Sequence, residues 1–210
     1  MFKKLAYIGL FLLLSTGIAC AEKYTEGVEY QRISDQPTET TDKVEVLEFF
    51  WYGCPHCYQF DPILAKWLET KPANTEFIRV PAVFRPEWKV HARTYYALQA
   101  MGVGEKYHSI IFDAMHKDKK NLYSEAEMIE FLISKGVDEK DFMAAYNAFS
   151  IDGQVRKAIS KVKGYAIKGV PAMAVNGKYL VSGTSAGSYE NMLRIVDFLI
   201  EKETAAAVKK

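Results

Sequence analysis

Apolar and polar positions change period several times along the chain. Val44-Glu45-Val46-Leu47-Glu48-Phe49-Phe50-Trp51-Tyr52 is rich in branched and aromatic residues and is apolar on both alternating faces. That pattern predicts a central strand buried on both sides. Gly53 ends it. From Cys57 to Trp67 the spacing turns helical, with Tyr58, Leu64, Trp67 and Leu68 as core candidates. Thr75 to Val83 predicts another strand, stopped by Pro81. Upstream, residues 22–41 predict a short first strand and a polar turn punctuated by Gln36-Pro37.

Between Trp88 and Tyr165 the texture is helical throughout. Ala92, Tyr95, Leu98 and Met101 recur at helical spacing, as do Tyr107, Ile111, Ala114 and Met115. Ser124 reads as a cap for one helix, and Val137-Asp138 opens another that runs through Phe142, Tyr146 and Phe149. Strand texture returns at Pro171–Val175 and Lys178–Val181, which flank Asn176-Gly177. Both residues of that dipeptide tolerate positive φ, which makes it a strong hairpin signal. An amphipathic helix from Ser188 closes the pattern, and residues 204–210 read as a frayed, flexible tail. The order is strand, helix, strand, helical block, hairpin, helix. It predicts a small α/β domain, discontinuous over 22–87 and 166–203, with an all-helical insert at 88–165.

The first segment stands outside this pattern. Lys3 and Lys4 precede an apolar run to Ile18, and Ala19-Cys20-Ala21 supplies small residues. This is the order of a secretory signal peptide, residues 1–21, with cleavage expected after Ala21. The run is short of the roughly 20 apolar residues of a spanning helix. Cys20 as a lipid acceptor is the rival reading, but the leucine usual at the start of such a motif is missing from Gly17-Ile18-Ala19. A chain from Glu22 onward fits one domain. Net charge is +1, which implies no field for nucleic acid or a membrane surface.

Once the signal is removed, Cys54 and Cys57 are the cysteines that remain. A pair three positions apart closes too small a loop to staple a fold, so its use is reactive. A zinc site would want four ligands, and no second cysteine pair exists. His91, His108 and His116 fall in the helical block and read as ordinary helix residues, and Lys117, Lys119 and Lys120 as a solvated end. No metal is expected. The pair sits where a strand turns into a helix, with Cys54 at the helix N-terminus. Thiolate, not thiol, attacks disulfides. Unpaired N–H groups and the helix dipole favour a negative sulfur there, and His56 can add a hydrogen bond or a positive charge. These effects stabilise the dithiol form and leave the disulfide strongly oxidising. Cys54 should therefore be exposed and bond to substrate, while Cys57, one turn further in, should be buried and resolve that bond.

The segment Phe49 to Phe60, centred on Cys54-Pro55-His56-Cys57, resembles the active-site segment of the DsbA family of bacterial periplasmic dithiol oxidases. Gly169-Val170-Pro171-Ala172-Met173, followed by Val175-Asn176-Gly177-Lys178-Tyr179, resembles that family's second motif. The likeness extends over essentially the whole chain after the signal. It implies a thioredoxin fold interrupted by an inserted all-helical domain, and a cis Val170–Pro171 bond beside the cysteines. The Val170 backbone would then face an extended substrate. Without the resemblance, Pro171 reads as an ordinary strand-start proline. Glu48 matches a buried acid of the family, expected to have a raised pKa and to relay the proton of Cys57; the competing reading is a strand glutamate reaching solvent. Arg79 reads as a surface arginine, with a charge partnership to Glu48 as the alternative. Trp51, Tyr52, Val170 and Met173 are candidates for an apolar substrate surface, or else core.

The resemblance implies a monomeric periplasmic oxidase that needs no cofactor beyond a Cys54–Cys57 disulfide. Its partners would be unfolded exported proteins with free cysteines and a quinone-coupled membrane oxidase of the DsbB type. The alternatives are a disulfide isomerase or reductase and a redox-inert peptide-binding chaperone. Residues 22–42 are too short for the dimerisation domain usual in isomerases of this fold, and Pro55-His56 resembles the oxidase more than thioredoxin.

Overall fold

A computed structural model describes residues 23–208. The segment read as a signal peptide, Cys20 included, lies outside the described residues. Five strands form one sheet: β1 (Gln31–Arg32), β2 (Val44–Phe50), β3 (Thr75–Pro81), β4 (Ala172–Val175) and β5 (Tyr179–Ser182). The sheet order is β1-β5-β4-β2-β3. β2 and β3 are parallel, and the other neighbours antiparallel. Helix α1 (Pro55–Thr70) joins the parallel pair, as a parallel connection requires. Five helices lie between β3 and β4: α2 (Lys89–Ala100), α3 (Gly104–His116), α4 (Glu125–Ser134), α5 (Glu139–Tyr146) and α6 (Phe149–Gly164). A short α7 (Gly183–Ala186) and a long α8 (Tyr189–Val208) follow the hairpin. Among the described residues, no helix is long and apolar enough to cross a membrane.

All of β2 is buried, and its alternation sorts the two faces of the sheet. Val44 and Val46 join Phe60, Leu64 and Trp67 of α1 and Met192, Ile195 and Leu199 of α8 in one core. Leu47 and Phe49 face Ala158 and Val162 of α6 and the adjoining Tyr165. The second half of α6 therefore packs on the sheet, although it falls in the 88–165 block. A third core joins Phe50, Tyr52, Cys54 and Cys57 to Tyr107, Ile111 and Phe112 of α3. The cysteines thus sit at the seam between sheet and helices.

Three local features depart from the sequence pattern. The helix opened by Asp138 ends at Tyr146, because Ala148 is extended, with ψ 139, and starts α6. Phe149 is consequently 82% exposed rather than core. The tail is not frayed from residue 204 but helical to Val208. Thr204 donates to the Ile200 carbonyl and accepts from Asn74 Nδ2, both at 2.8 Å or less. Glu203 also anchors that end to the hairpin, accepting from Asn176 Nδ2 at 2.6 Å and pairing with Lys178. Finally, α7 has no counterpart in the periodicity; a capping box between Ser182 and Ser185 holds it.

The hairpin turn tests this reading. Asn176 and Gly177 have φ of 51° and 67°, and a Cβ on Gly177 would meet the Gln36 carbonyl oxygen at 2.2 Å. Gly177→Ala should lower stability by roughly 1–3 kcal/mol. Gly153→Ala, within α6 and with its nearest contact at 4.0 Å, should raise it by about 0.5–1 kcal/mol. Urea unfolding midpoints of the two variants should move in opposite directions.

Candidate active site

Cys54 is the N-cap of α1 and Pro55 its first helical residue. The N-cap position ordinarily carries an oxygen that satisfies free N–H groups. Here no side-chain oxygen does so, and no acidic residue stands in the first turn. The Cys54 sulfur stands at that position without a cap hydrogen bond of its own. The turn itself is closed by Cys54 N–H donating to the Trp51 carbonyl at 2.9 Å. The Cys54 pKa is lowered to about 6. A hydrogen bond from the Cys57 thiol is the largest cause; burial opposes it, and the backbone N–H groups of Cys57 and His56 and the charge of His56 assist. Cys57 moves the other way, well above its ordinary value, because it is fully buried and faces the Cys54 sulfur. Both cysteines are free thiols. In its neutral form, Cys54 Sγ also donates to the Val170 carbonyl at 3.4 Å, across the cis Val170–Pro171 bond.

Beneath Cys57 lies a buried charge cluster. Glu48 and Arg79 are register partners on β2 and β3, so they share a face of the sheet. Arg79 Nε donates to Glu48 Oε2 at 3.0 Å, Nη1 to Glu105 at 3.0 and 3.1 Å, and Nη2 lies 3.6 Å from Asp61. One cation is shared by three carboxylates. Burial therefore wins at Glu48, and its pKa is raised to about 7 despite Arg79. The cluster reaches the active-site turn through His108. Its Nε2 lies 3.3 Å from Asp61 and its Nδ1 3.1 Å from the Tyr52 hydroxyl. Burial pulls the His108 pKa down, so the ring is neutral near pH 7. His116 Nε2 donates to the Tyr52 carbonyl at 2.7 Å, and its ring stacks on Tyr58.

Several sequence-predicted positions are relocated. Cys54 is not exposed: it keeps 7% of its surface, against 0% for Cys57, because the Val170 loop covers the N-cap. Tyr52 and Met173 are core, at 1% and 0% exposed, rather than substrate surface. Tyr52 packs edge-on against Phe50 and Phe112, and Met173 stands opposite Glu48 inside the sheet. Trp51 is half-buried, stacked on Trp88 with centroids 3.6 Å apart. Val170 is half-buried, Pro171 buried and His56 exposed. Arg79 is a buried ion-pair residue, not a surface one. His91 and His108 are buried, and His116 braces the turn, so none of the three is an incidental helix residue.

Asp61, Glu105, His108 and His116 belong to the site yet do not stand out in the sequence. Asp61 carried a usable signal: it is four residues after Cys57 and thus on the same helix face. His108 lies at helical spacing with Ile111, Phe112 and Met115 on an apolar face. Nothing in one sequence ties Arg79 to Glu105, because that contact needs the strand register and the placement of α3. A groove of about 770 Å³ opens beside the cysteines, lined by Ile33, His56, Ile63, Val170, Pro171 and Tyr189 among others.

The family model of the DSBA-like thioredoxin domain matches residues 78–193. The thiol:disulfide interchange protein DsbA of Pseudomonas aeruginosa is 46% identical over 192 residues, 91% of each chain. That of Azotobacter vinelandii is 47% identical over 170 residues, 81% of this chain and 79% of its own. The crystal structure of Pseudomonas aeruginosa DsbA superimposes with a TM-score of 0.85, covering 90% of this chain and 99% of that one. The oxidoreductase DsbA from Xylella fastidiosa, 31% identical, gives 0.80 over 87% of this chain and 98% of its own.

The charge cluster makes a signed prediction. Glu48 holds its proton to about pH 7 in the fold and to about 4.5 in the unfolded chain. Its contribution is therefore complete below pH 4.5 and lost as pH rises through 7. Relative to Glu48→Gln, the wild type should lose stability across that window, by up to about 3 kcal/mol. Urea unfolding at both ends of the window measures it; a wild type that instead gains on the variant with rising pH would show that Arg79 outweighs burial. Arg79→Met, which strips the carboxylates of their shared cation, should cost roughly 3–5 kcal/mol in the same assay.

Proposed function

The chain belongs to the DsbA family of thiol:disulfide interchange proteins, with the thioredoxin fold and helical insert of that family, and from that membership we propose a periplasmic oxidase that gives its Cys54–Cys57 disulfide to newly exported proteins. The opposed acidities of the two sulfurs carry this reading. A leaving group departs faster as its pKa falls, so Cys54 is the sulfur from which substrate is most readily released.

The steps balance as two successive exchanges. A substrate thiolate attacks Cys54 Sγ, the Cys54–Cys57 bond breaks, and Cys57 departs with the electron pair. Cys57 then needs a proton, and protonated Glu48 below it is the candidate donor. A second substrate thiolate attacks the first substrate sulfur of the mixed disulfide. The substrate leaves oxidised by two electrons, and Cys54 leaves as a thiolate held by the α1 N–H groups. No cofactor is needed, because the cysteine pair itself accepts the electrons. Val170 offers its backbone beside Cys54, where an extended substrate would pair. Trp51, with Trp88 and the partly exposed Phe84 and Tyr123 nearby, extends an apolar shoulder on the side of the α1 N-terminus where Trp51 covers Gly53. A quinone-coupled membrane oxidase of the DsbB type would restore the disulfide. Isomerase or reductase activity is the second reading; it would call for a dithiol less favoured than the Cys54 environment provides.

Equilibration of the protein with glutathione tests the assignment. The disulfide should be readily reduced, and a potential near about −270 mV, the thioredoxin range, would reject the oxidase. The potential should fall by about 59 mV per pH unit below the Cys54 pKa and by about 30 mV above it, since one proton fewer is then taken up. The break should lie near pH 6. Cys54→Ser should abolish oxidation of a reduced substrate, and undiminished activity in cells would favour the chaperone reading. With a disulfide-bonded peptide as substrate, the Cys54 thiolate of Cys57→Ser should displace one substrate thiol and accumulate the mixed disulfide, since no second thiol resolves it.

A further inference from the structure

We propose that Tyr189 is a positioning residue for His56 and, through that ring, tunes the reactive sulfur, a role that rests on the oxidase reading of the site. Tyr189 is the first residue of α8, remote in sequence from the cysteine turn. Its hydroxyl lies 3.2 Å from His56 Nδ1. The phenol is itself held. Its ring packs against Phe60 of α1 with centroids 5.5 Å apart, and it passes so close to Gly183 that a Cβ there would meet Tyr189 Cε1 at 3.4 Å. Ser188 fixes the start of α8 by accepting from the Asn191 N–H at 3.1 Å. Burial and then the two sulfurs raise the pKa of Tyr189, which places the phenol within electrostatic reach of both.

His56 is exposed in the first turn of α1, where a free imidazole samples several rotamers. Its effect on Cys54 is Coulombic as well as through the backbone, and a Coulombic effect depends on where the ring is. The Tyr189 hydroxyl confines it. The phenol can donate to a neutral ring or accept from a protonated one, so the bond survives either state. Tyr189 also lines the groove beside the cysteines, which puts one wall of that groove in contact with the residue that adjusts the sulfur.

Tyr189→Phe keeps the ring and removes the hydroxyl. The far-ultraviolet thiolate titration of Cys54 should then move to higher pH, and the glutathione equilibrium should shift about two- to threefold toward the disulfide form. In a His56→Ala background, the same substitution should change neither quantity. An equal effect in both backgrounds, or none in the wild type, would overturn the proposal. A thioredoxin-like potential in the wild type would reject the oxidase reading, while the Tyr189–His56 coupling would still be read in the thiolate titration.

Discussion

A negative sulfur at the start of α1 is the interaction on which the rest of the molecule depends. A closed disulfide has no charge for the helix N-terminus to hold, whereas a Cys54 thiolate does. The surroundings act on that difference more than on either state alone. Pro55 brings no N–H of its own, and the backbone N–H groups of His56 and Cys57, with the Cys57 thiol, favour the charged form of the sulfur. The Val170 carbonyl pulls the other way, since it accepts only from the neutral thiol. A thiolate has nothing to give it and is better matched to the helix end. Ionisation of Cys54 therefore loosens one contact and strengthens others at the place where a substrate would bind.

That arrangement works only with the opposite condition one turn further in. Cys57 is enclosed by the seam of sheet and helices, where burial favours its neutral form. The same enclosure would make an isolated Glu48 carboxylate costly. Sharing Arg79 with Asp61 and Glu105 leaves Glu48 free to hold a proton without stranding the cation. If Glu48 ionises, the pair is satisfied; if it is protonated, Arg79 still faces two carboxylates. Either state of Glu48 is tolerated by a cluster that a simple ion pair would tie to one state.

Much of this was legible before the structure. The apolar run of β2, the strand-to-helix turn at Cys54, the Asn176-Gly177 hairpin and the Ser124 and Asp138 caps are local features, and local chemistry fixes them. The hidden parts depend on placement across the chain. Arg79 reads as a surface residue because β3 alone does not reveal its register against β2. His108 and His116 read as ordinary helix positions because their partners, Tyr52 and Asp61, lie on other elements. Tyr52 and Met173 were ambiguous for the converse reason: aromatic and aliphatic residues near a reactive cysteine suit a substrate surface and a core equally well. Only the packing of α3 and the pairing of β4 with β2 decide between them.

The helical insert is thereby part of the active site rather than an appendage to it. The turn from Trp51 to Cys54 is closed by the bond from the Cys54 N–H to the Trp51 carbonyl. Phe50, the Val170 loop and Trp88 restrain it from other sides, and α3 adds several contacts. His116 holds the Tyr52 carbonyl, His108 meets its hydroxyl, and Phe112 packs on its ring. Buried rings in such contacts resist rotation. A backbone held this way keeps the N-cap sulfur aligned with the N–H groups of α1, and misalignment would weaken the charge interaction that sets the chemistry. The insert thus adds rigidity to a turn that Phe50 and the Val170 loop of the sheet domain hold from the other side.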